Sequence, residues 1–215
     1  MLTFEVRHGR EVLSLEEEFV AFRLSEFRQF PYLYEGTAAA ECAYLKAYAA
    51  ESNSMLVTIR EAGRAVGMLT SVPLLAKSFP AYGGFADGVR QLGHDPAEFF
   101  YFGEAIVLPE YRNRGLARRG CGMIEAYARL LGYRFGCMAT VSRLADHPLR
   151  PVGYQDPGPV FAAFEFKKTR LTSVFAWPTV QPDGSVKTQE NTMDWWIKPL
   201  GVEYSGVQVV GLMKG

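Results

Sequence analysis

Cysteine and histidine are scarce in this chain, with three of each in 215 residues. Cys42, Cys121 and Cys137 make an odd set without paired spacing, and His8, His94 and His147 lie far apart. A disulfide framework and a zinc motif are therefore not indicated. Net charge is missing too: Lys plus Arg is 23 and Asp plus Glu is 23. A nucleic-acid binder gains affinity from many phosphate contacts across a broad basic surface, and that balance argues against one, while a local basic patch stays compatible with it. No stretch approaches the ~18 uninterrupted apolar residues of a membrane-spanning helix. The start, MLTFEVRHGREVLSLEEEF, has no basic beginning followed by an apolar run. The expectation is a soluble protein of the reducing cytoplasm, with no nucleic-acid, membrane or metal partner.

What is abundant is apolar and aromatic. Hydrophobic residues make up 48%, including 15 Phe and 11 Tyr, enough for a sizeable core. No repeat or low-complexity segment divides the chain, so one α/β or α+β domain over residues 1–200 is the simplest partition. Period and punctuation predict a short strand at 3–6, helices at 16–27 and 38–51, and a hairpin of strands at 55–60 and 65–73 turning on Gly63. Residues 76–96, rich in Gly and Pro, read as an inserted excursion with a short helix at 85–92. The strongest strand covers 99–107 and the strongest helix 113–131, closed by Gly132. A strand at 135–141 completes a parallel β-α-β crossover. A short helix at 160–164 and strands at 165–177 and 193–197 follow, leaving 201–215 as a tail or an extra strand.

The segment Glu110-Tyr111-Arg112-Asn113-Arg114-Gly115-Leu116-Ala117-Arg118-Arg119 lies between the strongest strand and the strongest helix. Cations at a helix N-terminus cost roughly a few tenths of a kcal/mol each unless an anion is present. Glycines at 115, 120 and 122 cost about 1 kcal/mol apiece against alanine and call for close approach of a ligand or a neighbouring strand. Exposed amides, helix dipole and arginines together describe a cradle for phosphate or pyrophosphate. On charge alone, a solvated turn paired with Glu110 and Glu125 explains the arginines equally well. The Gly-Lys-Ser/Thr ending of the triphosphatase loop and the three-glycine dinucleotide fingerprint are both missing.

Arg112-Asn113-Arg114-Gly115-Leu116-Ala117, with Ala105 to Tyr111 before it, resembles the Arg/Gln-x-x-Gly-x-Gly/Ala segment of the GCN5-related N-acetyltransferases (GNAT) and the strand that precedes it. The order of elements is similar over most of residues 1–200. The resemblance implies a mixed, splayed central sheet flanked by helices and transfer of an acetyl group from acetyl-CoA to the primary amine of a small molecule or peptide. The main chain of Ala105, Ile106 and Val107 would pair with the pantetheine arm, and the amides of Arg112, Asn113, Arg114, Gly115, Leu116 and Ala117 would hold the pyrophosphate. Gly103 offers a place for a β-bulge, or serves tight strand packing.

Acetyl transfer needs a base for the ammonium and an acid for the thiolate. Glu104 is the candidate base: alternation places it with Phe100, Phe102 and Ile106, an apolar setting that disfavours the charged carboxylate. Pairing with an arginine for packing reasons is the alternative. The family's Leu-Tyr-x-x-x-Gly-Phe segment has its best counterpart in Val160-Phe161-Ala162-Ala163-Phe164-Glu165-Phe166, where Phe161 stands for the tyrosine and Glu165 for the glycine. The acid is then water, a residue such as Tyr154, or dispensable, and a non-catalytic sensor of CoA or acyl-CoA becomes the rival reading. Tyr32 and Tyr34 offer walls for an acceptor pocket, or simply core packing. Arg143 and His147, just past a strand's C-terminal end, are acceptor-site candidates or ordinary loop residues. Cys121 and Cys137 read as buried small hydrophobes. Trp195-Trp196 suggests a strand edge through which two copies form a homodimer.

Overall fold

The structure is a computed structural model describing residues 1–79 and 82–201. One seven-stranded sheet organises it, in the order β1-β2-β3-β4-β5-β7-β6. The strands are β1 Leu2–His8, β2 Met55–Glu61, β3 Arg64–Pro73, β4 Phe99–Val107, β5 Phe135–Val141, β6 Lys167–Val180 and β7 Val186–Pro199. The helices are α1 Glu16–Glu26, α2 Ala38–Ala50, α3 Gly83–Gln91, α4 Leu116–Leu130 and α5 Gly158–Ala163. All neighbouring strands run antiparallel except β4 and β5.

Strand alternation divides the core into two layers. On one face Leu56, Met68, Phe99, Tyr101, Cys137 and Trp195 pack beneath α1, α2 and α3. On the other, Val57, Leu69, Phe100, Phe102 and Met138 meet α4. Helix α4 buries Leu116, Gly120, Cys121, Ile124 and Ala128, one stripe at helical spacing. A Cβ on Gly120 would come within 2.6 Å of the Leu69 side chain, so this glycine serves helix-on-strand packing, while Gly122 faces open space.

From the segment expected as an insertion, Phe79, Tyr82, Phe85, Ala86 and Val89 join the first core layer, and Phe85 stacks on Trp195 at 3.9 Å. The tryptophans form no exposed edge. Strand β7 lies between β5 and β6, Trp195 is 0% exposed, and Trp196 donates to Thr140 Oγ1 at 3.0 Å. Strands β6 and β7 are longer than expected because residues 174–180 and 186–192 go on pairing as a two-stranded ribbon beyond the end of β5. Most of the expected tail at 201–215 lies outside the described residues. Among the described residues no helix is long and apolar enough to cross a membrane, and no group of three or more His, Cys, Asp or Glu side chains is placed to hold a metal.

Candidate active site

Strand β4 carries a bulge. Leu69 pairs with Ala105 and Ser71 with Phe102, so Gly103 and Glu104 together oppose Thr70. The extra residue reverses the side-chain alternation beyond it. Glu104 consequently leaves the side of Phe100 and Phe102 and joins that of Tyr101 and Ile106. The apolar setting expected for Glu104 is corrected by this shift.

Its carboxylate sits in a polar network. Oε1 accepts from Arg23 Nη1, while Oε2 accepts from the Tyr48 hydroxyl at 3.1 Å and from the Thr70 hydroxyl. The Glu104 N–H donates to Thr70 Oγ1 at 3.0 Å. Arg23 Nε donates in turn to Glu41 Oε2. Glu41 is 1% exposed and Glu104 9%. The guanidinium also lies over the Tyr44 ring at 4.3 Å and the Phe27 ring at 4.8 Å. Burial works against the Arg23 cation, but Glu104, Tyr44 and Glu41 hold its pKa above the ordinary value. On α2, Glu41, Tyr44 and Tyr48 recur at three- and four-residue spacing and share one face. Gly103 is required here, because a Cβ would fall 2.4 Å from both Thr70 Oγ1 and the Tyr48 hydroxyl.

Beside this network opens a cavity of about 370 Å³ whose wall includes Tyr32, Tyr34, Tyr44, Tyr82 and Tyr101. Burial raises all five phenols, Tyr32 and Tyr34 each to about 12, so all stay protonated near neutral pH. The loop carrying Tyr32 and Tyr34 is fastened to β6: Glu35 N–H donates to Pro178 O and Val180 N–H to Leu33 O, at 2.9 and 2.8 Å.

The second part of the site is the edge of β4. Strands β4 and β5 pair only where Phe99–Tyr101 meet Phe135–Cys137, and they part beyond that point. The Leu108 N–H donates to Val66 O, on the β3 side. By alternation the amides of Ala105 and Val107 point to the open edge. There the Val107 carbonyl accepts from Arg112 Nε at 2.9 Å, and Arg112 Nη2 reaches Glu26 at 3.0 Å. The edge leads to the turn at 112–117, in which Arg112, Asn113, Arg114 and Gly115 are exposed. Asn113 and Gly115 are left-handed, with φ of 61° and 72°, which delays the helix expected from Asn113 until Leu116. Alternating hands of this kind turn successive N–H groups inward as a nest. Among the described residues the N–H groups of Asn113, Arg114 and Gly115 have no main-chain partner, whereas that of Arg112 donates to Pro109 O. The cradle of free amides thus starts one residue later than expected. A Cβ on Gly115 would meet nothing within 4 Å, so the notch stands open.

Other candidates sit elsewhere. The cavity wall includes Tyr32 and Tyr34 but neither Arg143 nor His147. Arg143 instead donates to the carbonyls of Pro31 and Tyr32 at 2.8 and 3.1 Å, bracing the wall from behind. His147 Nδ1 accepts from the Leu149 N–H, and its ring lies 5.6 Å from that of Phe30. Burial first, then Arg143, lowers its pKa. Tyr154 packs edge-on against Phe30, and Phe161 against Trp196, both away from the cavity. Burial raises the Cys121 thiol to about 12 and Cys137 well above its usual range, so neither is a nucleophile.

This architecture, a mostly antiparallel sheet splayed at its one parallel pair and flanked by helices, is the fold of the GNAT acetyltransferases. An N-acetyltransferase from Staphylococcus aureus Mu50 superposes with a TM-score of 0.56 at 12% identity, over 93% of this chain and 99% of that one. The ribosomal-protein-S18-alanine N-acetyltransferase of Escherichia coli gives 0.54 at 10% identity, over 97% and 99%. An aminoglycoside 6'-N-acetyltransferase complexed with coenzyme A gives 0.55 at 12%, over 93% and 98%. No protein-family model and no curated protein matches the sequence.

Proposed function

We propose that this protein is an acetyl-CoA-dependent N-acetyltransferase acting on a primary amine by direct attack in a ternary complex. The observation that carries the reading is the adjacency, along one strand, of an open main-chain edge ending in a nest of free amides and a buried carboxylate facing a cavity. Acetyl-CoA, when bound, supplies the acetyl group as a thioester. The edge at Ala105, Ile106 and Val107 would align its arm, and the amides from Asn113 to Ala117 would hold its pyrophosphate with the α4 dipole behind them. That one of the similar folds is complexed with coenzyme A supports CoA as the ligand.

Glu104 is the proposed base. A carboxylate oxygen accepts at about two sites, and Oε1 has one donor, so one position stays free for the amine's proton. That proton would leave nitrogen for Oε1, freeing the lone pair to form the new C–N bond; the thioester C–S bond then breaks and CoA departs as the thiolate, which takes its proton from water. Arg23 and Tyr48 hold the carboxyl group in place, and the protonated tyrosines supply hydrogen-bond donors on the same face. We place residues 1–200 in one catalytic domain. Its three free cysteines suit a reducing, cytoplasmic setting.

One observation favours the rival reading, a CoA or acyl-CoA sensor: Phe161 stands in place of the family's tyrosine and packs on Trp196. A thiol-release assay separates the two. The enzyme frees CoA in proportion to added amine, whereas the sensor is stabilised thermally by CoA and shows no turnover.

A further inference from the structure

We propose that the acceptor is a small amine with a single positive charge on an apolar, preferably aromatic, body. The inference deepens the acetyltransferase reading and rests on it. A cavity of about 370 Å³ lies at the lower end of the ~300–1,000 Å³ typical of small-molecule sites. Its wall, beyond the tyrosines, includes Phe27, Phe79, Phe175, Trp177, Ala139 and Met193, and among the described residues Glu104 and Arg23 are its only charged groups. Glu41 behind Arg23 brings the buried group to two carboxylates against one guanidinium. The excess is a single negative charge, and one ammonium balances it.

The same count disfavours other amines. A second cation would face Arg23, which already occupies ring faces at Tyr44, Phe27 and Phe19. A polyhydroxylated amine would lose its hydration against phenylalanine and methionine. The phenols are partly committed to one another, with Tyr44 lying 3.3 Å from Tyr82 and 3.5 Å from Tyr48 between hydroxyl oxygens. An apolar or aromatic body loses nothing there and gains ring contacts.

The experiment measures CoA binding by calorimetry and thiol release with 2-phenylethylamine, spermidine, kanamycin and an alanyl peptide on the full chain. The expected kcat/KM for 2-phenylethylamine exceeds the other three by roughly a hundredfold, the discrimination a hydrophobic pocket reaches. Phe175→Ala, at a half-buried wall position, raises its KM about tenfold, equivalent to about 1.4 kcal/mol, with CoA affinity unchanged. Phe175→Leu restores most of the loss. Turnover of spermidine, kanamycin or the peptide at an equal or better rate overturns this proposal and leaves the acetyltransferase reading standing. CoA binding without thiol release from any amine overturns both the acceptor and the enzyme in favour of a sensor, and absence of CoA binding overturns the reading of the turn as well.

Discussion

On the cavity side of β4, Glu104 is held by Arg23, Tyr48 and Thr70 and is almost wholly buried. A few residues along the strand, Ala105 to Val107 border an edge without a strand partner, and the turn beyond it exposes Arg112 to Gly115. The two regions differ in how their polar groups are satisfied. The Glu104 carboxylate on the cavity side finds its donors within the protein, in a network drawn from four elements, α1, α2, β3 and β4. The edge leaves the amides of Ala105 and Val107 without a strand partner, its Val107 carbonyl taken by Arg112, and is nearly continuous in sequence. Positions in the first should therefore affect folding and chemistry together, and positions in the second should affect binding alone.

Replacing Arg23 by leucine tests the first side most severely, because it leaves two buried carboxylates without their common cation. The expected loss is about 3–5 kcal/mol in urea unfolding. Glu104→Gln should lower turnover about a hundredfold or more. CoA affinity by calorimetry should stay within about twofold. Gly103→Ala drives a methyl into Thr70 and Tyr48 and should cost about 1–3 kcal/mol, read as a lower midpoint of unfolding. Gly115→Val belongs to the other side of the comparison. Its left-handed φ of 72° imposes about 1–2 kcal/mol of strain, while no neighbour obstructs the side chain. The fold should persist and CoA binding should disappear.

The smallest effect concerns His147. Its pKa is depressed in the folded state, so the unfolded chain takes up the proton first as pH falls below about 6.5. Stability is fully present above that pH and declines as pH falls toward the folded pKa. His147→Gln should flatten this part of the pH profile of thermal unfolding without altering CoA binding.

The contrast also explains what the sequence revealed. Strands β4 and β5 are short, mostly apolar runs, helix α4 follows its helical period, and the 112–117 turn is contiguous, so all could be read along the chain. The Glu104 network could not. Arg23 is 81 residues from Glu104 in sequence, Tyr48 56 and Thr70 34, and only packing joins them. A single bulge then changed the face of Glu104, which strict alternation had put with Phe100 and Phe102. The signal available was Gly103 before a charged residue in an otherwise apolar strand. Arg143 and His147 follow the end of β5, where ligands bind in open parallel sheets. Here Arg143 turns to the carbonyls of the neighbouring loop and His147 packs against it.

Calorimetric titration of the full chain with CoA, repeated on Gly115→Val, tests the central claim most directly. The account predicts a saturable heat near one CoA per chain that the substitution abolishes while the far-ultraviolet circular dichroism is unchanged. No heat with millimolar CoA, or undiminished heat in the variant, would contradict it.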